Sequence, residues 1–123
     1  MVVHSDDGLD EISIGARTEV AELKDGSVRR FSIQPEDFGI KRSPLESIRA
    51  EGPEDSVKTI VGVLDDTAGP ARDIVVLNAG AAIYVAGLAE SLKDGVLKAD
   101  EAIASGEARN RLDRLVVLTQ SFE

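Results

Sequence analysis

The chain has 123 residues, 42% hydrophobic and 30% charged, with 23 acids against 14 bases, a length that suits one domain with a real core. Its net charge of −9 speaks against nonspecific binding to nucleic acid or an anionic membrane, which needs clustered Lys and Arg, and the lack of cysteine excludes disulfides, thiolate catalysis and Cys-bound zinc. Three Phe, one Tyr and no Trp leave the core to Val, Ile, Leu and Ala, side chains suited to helices packed closely on each other or on a sheet.

The chain opens on Met1-Val2-Val3-His4, which has neither the basic nor the long apolar stretch of a secretory signal. With no cysteine to oxidise, a reducing cytoplasm is the expected location. Met1-Val2-Val3 is too short to bury itself and reads as the middle of a strand. Directly after it, His4-Ser5-Asp6-Asp7-Gly8-Leu9-Asp10-Glu11 places four carboxylates within a few residues. No Lys or Arg stands in residues 1–16, so these acids lack a local counter-charge and repel unless solvent or a cation intervenes. Oxygen donors alone suit a hard ion such as Mg2+, typically held by one or two carboxylates, waters and substrate phosphates.

Two β-prone runs, Thr18 to Leu23 and Val28 to Ile33, flank Lys24-Asp25-Gly26, a hairpin signal because Gly accepts positive φ. Glu19 and Glu22 fall on opposite faces, which suits a partly exposed sheet edge. Residues 34–55 carry Pro35, Pro44 and Pro53 and read as a polar connector. Leu45 and Ile48 at i, i+3 allow one helical turn within Pro44 to Ala50.

From Ser56 onward the period is helical. Val57, Ile60, Val61 and Leu64 form one apolar stripe, with Ser56 as the expected N-cap and Gly69-Pro70 as the stop. The run Ile74 to Ala89 contains Asn78 and Tyr84 and falls short of the roughly 20 residues of a bilayer span. It is expected within a central buried helix from about Ala71 to Ala89, whose Ala79, Gly80, Ala81, Ala82, Ala86 and Gly87 let backbones approach. Ser91-Leu92-Lys93-Asp94 resembles a capping box. It opens a third helix that Gly106 ends, and Leu112, Leu115, Val116 and Thr119 mark a fourth.

The motifs exclude more than they assert. With Asp7-Gly8 as positions five and six of an EF-hand loop, position one is Val3 and position twelve Ile14, so the calcium register fails. Neither a dinucleotide fingerprint nor a P-loop occurs, and consecutive His4, Ser5 and Asp6 cannot converge as a triad. Asp10-Glu11 fits either a solvated acidic turn or one wall of a cation site. Asp6 and Asp7 read as turn and solvent-facing residues, while Asn78 and His4 read as structural hydrogen-bonding groups.

Several segments, in order, resemble one family. Val2-Val3-His4-Ser5-x-Asp7-Gly8-Leu9-Asp10-Glu11-Ile12-Ser13 resembles the carboxy-terminal half of anthranilate phosphoribosyltransferase. Pro35-Glu36-Asp37-Phe38-Gly39, Arg72-Asp73-Ile74-Val75-Val76-Leu77-Asn78-Ala79, Ala86-Gly87 and Ala102-Ile103-x-Ser105-Gly106-x-Ala108 continue the match over nearly the whole chain. Ser5 departs from the Gly expected after His4, a small change.

The resemblance implies an α/β fold: the carboxy-terminal part of a larger sheet-and-helix phosphoribosyltransferase domain, with a β-hairpin followed by about four helices. Over residues 1–123 it implies the late portion of the catalytic domain, with the amino-terminal helical domain, the first part of the α/β domain and the Gly-Thr-Gly-Gly-Asp diphosphate loop having no counterpart. It assigns Asp10 and Glu11 as ligands of the Mg2+ that escorts the diphosphate of phosphoribosyl pyrophosphate, and anthranilate as acceptor. The intact enzyme is then expected as a cytoplasmic homodimer with no nucleic-acid or membrane partner, and this chain alone as inactive. A non-catalytic binding protein of the same fold, or a related glycosyltransferase or phosphorylase with another acceptor, stays open beside it.

Overall fold

Period-two alternation sorts the second strand, where Thr18, Val20 and Glu22 are buried on one face and Glu19 faces solvent on the other. In the computed structural model, which describes residues 1–122, strands β1 (Val2–Ser5), β2 (Thr18–Lys24) and β3 (Ser27–Ile33) form an antiparallel sheet in the order β1-β2-β3. Asp25 and Gly26 make the hairpin turn with φ of 51° and 75°, the two positive values of a type I′ turn whose twist matches the flanking strands. The sequence reading of an edge position is corrected, because β2 is the central strand. Glu22 is accommodated on the core face by side-chain partners rather than by exposure: the Tyr84 hydroxyl donates to it, and Arg29 reaches it at 2.7 Å. Those bonds, the one from Tyr84 foremost, hold the Glu22 carboxyl below the usual carboxylate range.

The connector is more regular than its prolines suggest. One 3-10 turn spans Pro35–Phe38 and another Leu45–Ile48. Helix α1 (Pro53–Leu64) begins three residues before the expected cap at Ser56, whose N–H already donates to the Gly52 carbonyl at 2.9 Å. Pro53 is preset for a first helical position, and Glu54 and Asp55 complement the positive helix end.

Helix α2 (Pro70–Val85) starts on Pro70 and stops short of Ala89. At its end Leu88 N–H reaches the Ile83 carbonyl at 3.1 Å and Gly87 N–H the Tyr84 carbonyl at 3.0 Å, a Schellman closure for which Gly87 takes φ 74°. Helix α3 (Leu92–Ala104) is capped as expected, with the Ser91 hydroxyl accepting from the Asp94 N–H at 3.1 Å. Helix α4 (Glu107–Gln120) follows Gly106.

One apolar core joins sheet and helices. Ile12, Ile14, Val20 and Ile33 meet Val63, Val76, Leu77, Ala81, Val96, Ala99 and Ile103. The tightest packing is where α2 crosses α3. A Cβ at Gly80 would stand 2.5 Å from the Val96 Cα, and one at Gly95 would collide with the Gly80 carbonyl. Arg72, at the start of α2, reaches Asp66 and Asp100 at 2.7 Å each, tying the α1–α2 loop to α3. No helix among the described residues is long and apolar enough to cross a membrane.

Candidate functional site

The acidic segment forms the loop between β1 and β2, and its shape comes from a buried polar cluster at its base. Ser5 and Ser13 are both fully buried. Their hydroxyls donate to the Asp7 carboxylate, Ser13 at 2.6 Å, and Ser13 Oγ in turn accepts from Gly15 N–H at 2.8 Å. The backbone closes the same knot, with Ser5 N–H on the Leu9 carbonyl at 3.2 Å and Gly8 N–H on the Ser5 carbonyl at 3.0 Å.

Partial burial alone would raise the Asp7 pKa. The hydrogen bonds from Ser13, Ser5 and Leu9 outweigh it and leave the carboxyl below its usual value. Asp7 stands exposed in the turn, as expected from sequence, and is in addition the hub of the loop's hydrogen bonds. The Ser5 hydroxyl thus has a structural use at the position where Gly was expected. Asp6 is solvent-exposed but not uncompensated: Arg17 folds back onto it at 3.2 Å and also reaches Glu19 at 3.0 Å. The missing counter-charge thus lies one residue beyond the stretch that contains none.

The far end of the loop is fastened to α2. Asn78 donates from Nδ2 to the Ile12 carbonyl at 2.9 Å and accepts at Oδ1 from the Ile12 N–H at 2.9 Å, so one amide satisfies both polar groups of a single backbone residue. Its second Nδ2 proton goes to the Ile74 carbonyl at 3.0 Å. The structural role expected for Asn78 is correct, and the partner that sequence could not name is the residue following Glu11.

A third support comes from the connector. Ser43 N–H donates to the Ile14 carbonyl at 2.9 Å, and Arg42, held by Glu36 at 2.9 Å, extends to the Gly15 carbonyl at 3.4 Å. The Pro35-Glu36-Asp37-Phe38-Gly39 element is thereby laid against the loop.

Between the Asp7 hub and the Asn78 clamp stand Asp10 and Glu11. Both are exposed, and neither has a hydrogen-bond or ion-pair partner among the described residues. Among those residues no three His, Asp or Glu side chains converge on a metal position. Two adjacent free carboxylates still fit Mg2+, which takes one or two protein carboxylates and completes its shell with water and phosphate oxygen. His4 is exposed on β1 and adds nothing to this pair, against the expectation of a satisfied structural imidazole.

Open clefts lie elsewhere on the surface. One of about 620 Å3 is bounded by Gly87, Glu90 and Lys98, and an apolar one of about 230 Å3 lies between Ile48, α1 and α2. Neither includes Asp10 or Glu11.

Sequence reading missed the Asp7 hub and the Glu22–Tyr84 bond. The second had a signal, since alternation from Thr18 and Val20 places Glu22 on the buried face.

Comparisons with known proteins bear on the family and the fold. Residues 1–109 match the glycosyl transferase family, a/b domain. The anthranilate phosphoribosyltransferase of Acidovorax sp. (strain JS42) is 53% identical over 122 residues, a stretch covering 99% of this chain and 36% of that protein. The one from Thioalkalivibrio sulfidiphilus is 58% identical over 121 residues, with 98% and 36% covered. The chain therefore spans little more than a third of the length of these curated relatives.

Among solved structures, anthranilate phosphoribosyltransferase from Thermus thermophilus superposes with a TM-score of 0.84 at 40% identity, over 94% of this chain and 34% of that one. The Saccharomyces cerevisiae enzyme in complex with phosphoribosyl pyrophosphate and Mg superposes with a TM-score of 0.85 at 25% identity, over 97% and 34%. The three-stranded sheet followed by four helices is thus part of the same α/β fold.

Proposed function

Because the chain belongs to the glycosyl transferase family, a/b domain, we propose that it serves as the metal-binding wall of an anthranilate phosphoribosyltransferase, within the late portion of the catalytic α/β domain. The observation that carries this reading is the pair Asp10-Glu11, two exposed carboxylates without partners among the described residues, on a loop tethered at Asp7 and Ile12. Support for the substrates comes from the relatives' names and from the yeast enzyme's complex with phosphoribosyl pyrophosphate and Mg.

In the proposed reaction the amine of anthranilate attacks C1 of the sugar, the C1–O bond to the diphosphate breaks, and pyrophosphate leaves with the electron pair while the amine loses a proton. Mg2+ on Asp10 and Glu11 would offset the charge that builds on the departing diphosphate. This chain's own contribution is to hold those carboxylates at a fixed position. The residues that cradle the phosphates and select the acceptor come from sequence outside these 123 residues, so the chain alone is inactive, and the intact enzyme works as a cytoplasmic homodimer without nucleic-acid or membrane partners.

The test is a chimaera in which these residues replace the matching stretch of the Acidovorax relative. Magnesium-dependent formation of phosphoribosylanthranilate is expected from the chimaera and none from the isolated chain. Activity of the isolated chain would overturn the division of labour. An Asp10→Asn, Glu11→Gln chimaera with an unchanged magnesium titration would remove the metal assignment.

A further inference from the structure

We propose that Asn78 is the positioning residue of the metal-binding pair, acting through the Ile12 backbone; the inference rests on the assignment of Asp10 and Glu11 as metal ligands. The anchors of the loop act at different points, and the Ser13–Asp7 bond ties its two sides together. On the amino-terminal side, the Asp7 carboxylate and the Ser5–Leu9 backbone closure fix residues 5–9. On the carboxy-terminal side, Ser13 N–H donates to Thr18 Oγ1 at 3.2 Å, and Ile14 and Gly15 meet the connector.

Ile12 lies between these supports, and its N–H and carbonyl both go to the one amide of Asn78. A residue held at both polar groups cannot rotate its peptide planes without breaking a bond. Its N–H belongs to the peptide unit shared with Glu11, so fixing that unit limits where the Glu11 carboxylate can swing. Asn78 itself is anchored by the Ile74 carbonyl within α2, and α2 is packed backbone to backbone on α3. The close-packed α2–α3 pair thus extends through the Asn78 side chain to the residue next to Glu11, while the two carboxylates themselves have no partner among the described residues. Outer partners that orient metal ligands commonly change affinity by ten- to a hundredfold when removed.

The experiment uses the 15N-labelled full chain and Mn2+ alone, following paramagnetic broadening of the Asp10, Glu11 and Ile12 amide signals. In the unsubstituted chain these signals broaden first, and in Asp10→Asn, Glu11→Gln they do not. Asn78→Ala is expected to keep its circular dichroism spectrum and to require about tenfold more Mn2+ for the same broadening. Asn78→Ser, whose hydroxyl can still reach the Ile74 carbonyl, serves if the alanine variant does not fold.

A second measurement needs no variant. Mg2+ that binds the clamped loop must slow hydrogen exchange at the Ile12 N–H, by about tenfold at ten times its dissociation constant. No broadening at Asp10 and Glu11 in the unsubstituted chain would overturn the metal assignment itself. Normal broadening with unchanged Mn2+ demand in a folded Asn78 variant, or with Ile12 exchange indifferent to Mg2+, would leave that assignment standing and overturn the role of Asn78.

Discussion

Where α2 crosses α3, Gly80 and Gly95 bring backbone onto backbone, with the Arg72–Asp100 ion pair as a polar tie between the same helices; where the β1–β2 loop meets the rest of the molecule, the joints are an aspartate, two serines and an asparagine. Shape enforces the first junction, and a mismatch there has nowhere to go. The second is enforced by hydrogen bonds, each worth about 1 kcal/mol net and more when one partner is charged. The loop should therefore yield one bond at a time, whereas the seam fails at once. The proposed metal-binding role calls for the second kind of rigidity, because its ligands would have to face solvent to meet a hydrated ion.

The sharpest way to break this contrast is at the seam. Gly95→Ala places a methyl group against the Gly80 carbonyl, and helix backbone cannot move aside as a flexible side chain would. A loss of about 3 kcal/mol or more is expected, read as a large drop in the urea midpoint or as failure to fold. A near-neutral result would mean that α2 and α3 slide apart easily and that the seam is no more rigid than the loop.

A smaller effect is expected at the hub. Asp7→Asn keeps an acceptor but loses the charge that strengthens its bonds from Ser13 and Ser5, for an expected cost of about 1 kcal/mol at neutral pH. The sign of its pH dependence follows from the lowered pKa. The native carboxyl is more acidic than the unfolded one, so its contribution is fully present above the unfolded value of about 3.9 and is lost as pH falls through the native value below it. Urea unfolding of both proteins at several pH values should give a constant gap from about pH 5 upward that closes in acid. A gap that widened in acid would contradict the assigned hydrogen bonds.

Much of this contrast is visible in the sequence and part is not. Gly80 stands out among small residues on an apolar helix, and Asp25-Gly26 announces the hairpin, because both depend on local backbone geometry. Gly95 lies inside the third helix with nothing to show that Gly80 is its neighbour. Asp10 and Glu11 are singled out through the order of motifs, whereas the hub role of Asp7 escapes because its bond from Ser13 leaves no mark on a turn that the neighbouring glycine correctly announces. The start of α1 at Pro53 is hidden in the connector since proline marks both a break and a first helical turn. Pairings between residues far apart in the chain, such as Asn78 with Ile12, leave no trace in spacing. They follow from how the helix layer sits on the loop.

The smallest effect on stability should come from the residues of greatest functional interest. Asp10 and Glu11 are exposed and hold no partner among the described residues, so Asp10→Asn with Glu11→Gln removes no native contact and relieves a like-charge repulsion. The change in unfolding free energy is expected within about 0.5 kcal/mol, with a slight gain more consistent with repulsion than a loss. The same double substitution should abolish Mn2+ broadening at the loop, so that binding and folding respond to opposite sets of residues. A substantial loss of stability would mean that the two carboxylates take part in holding the loop, and the division between fastened frame and free ligands would fail. A frame that folds without help from Asp10 and Glu11 would leave both carboxylates available to the proposed ion, since no side-chain bond of theirs among the described residues would have to break.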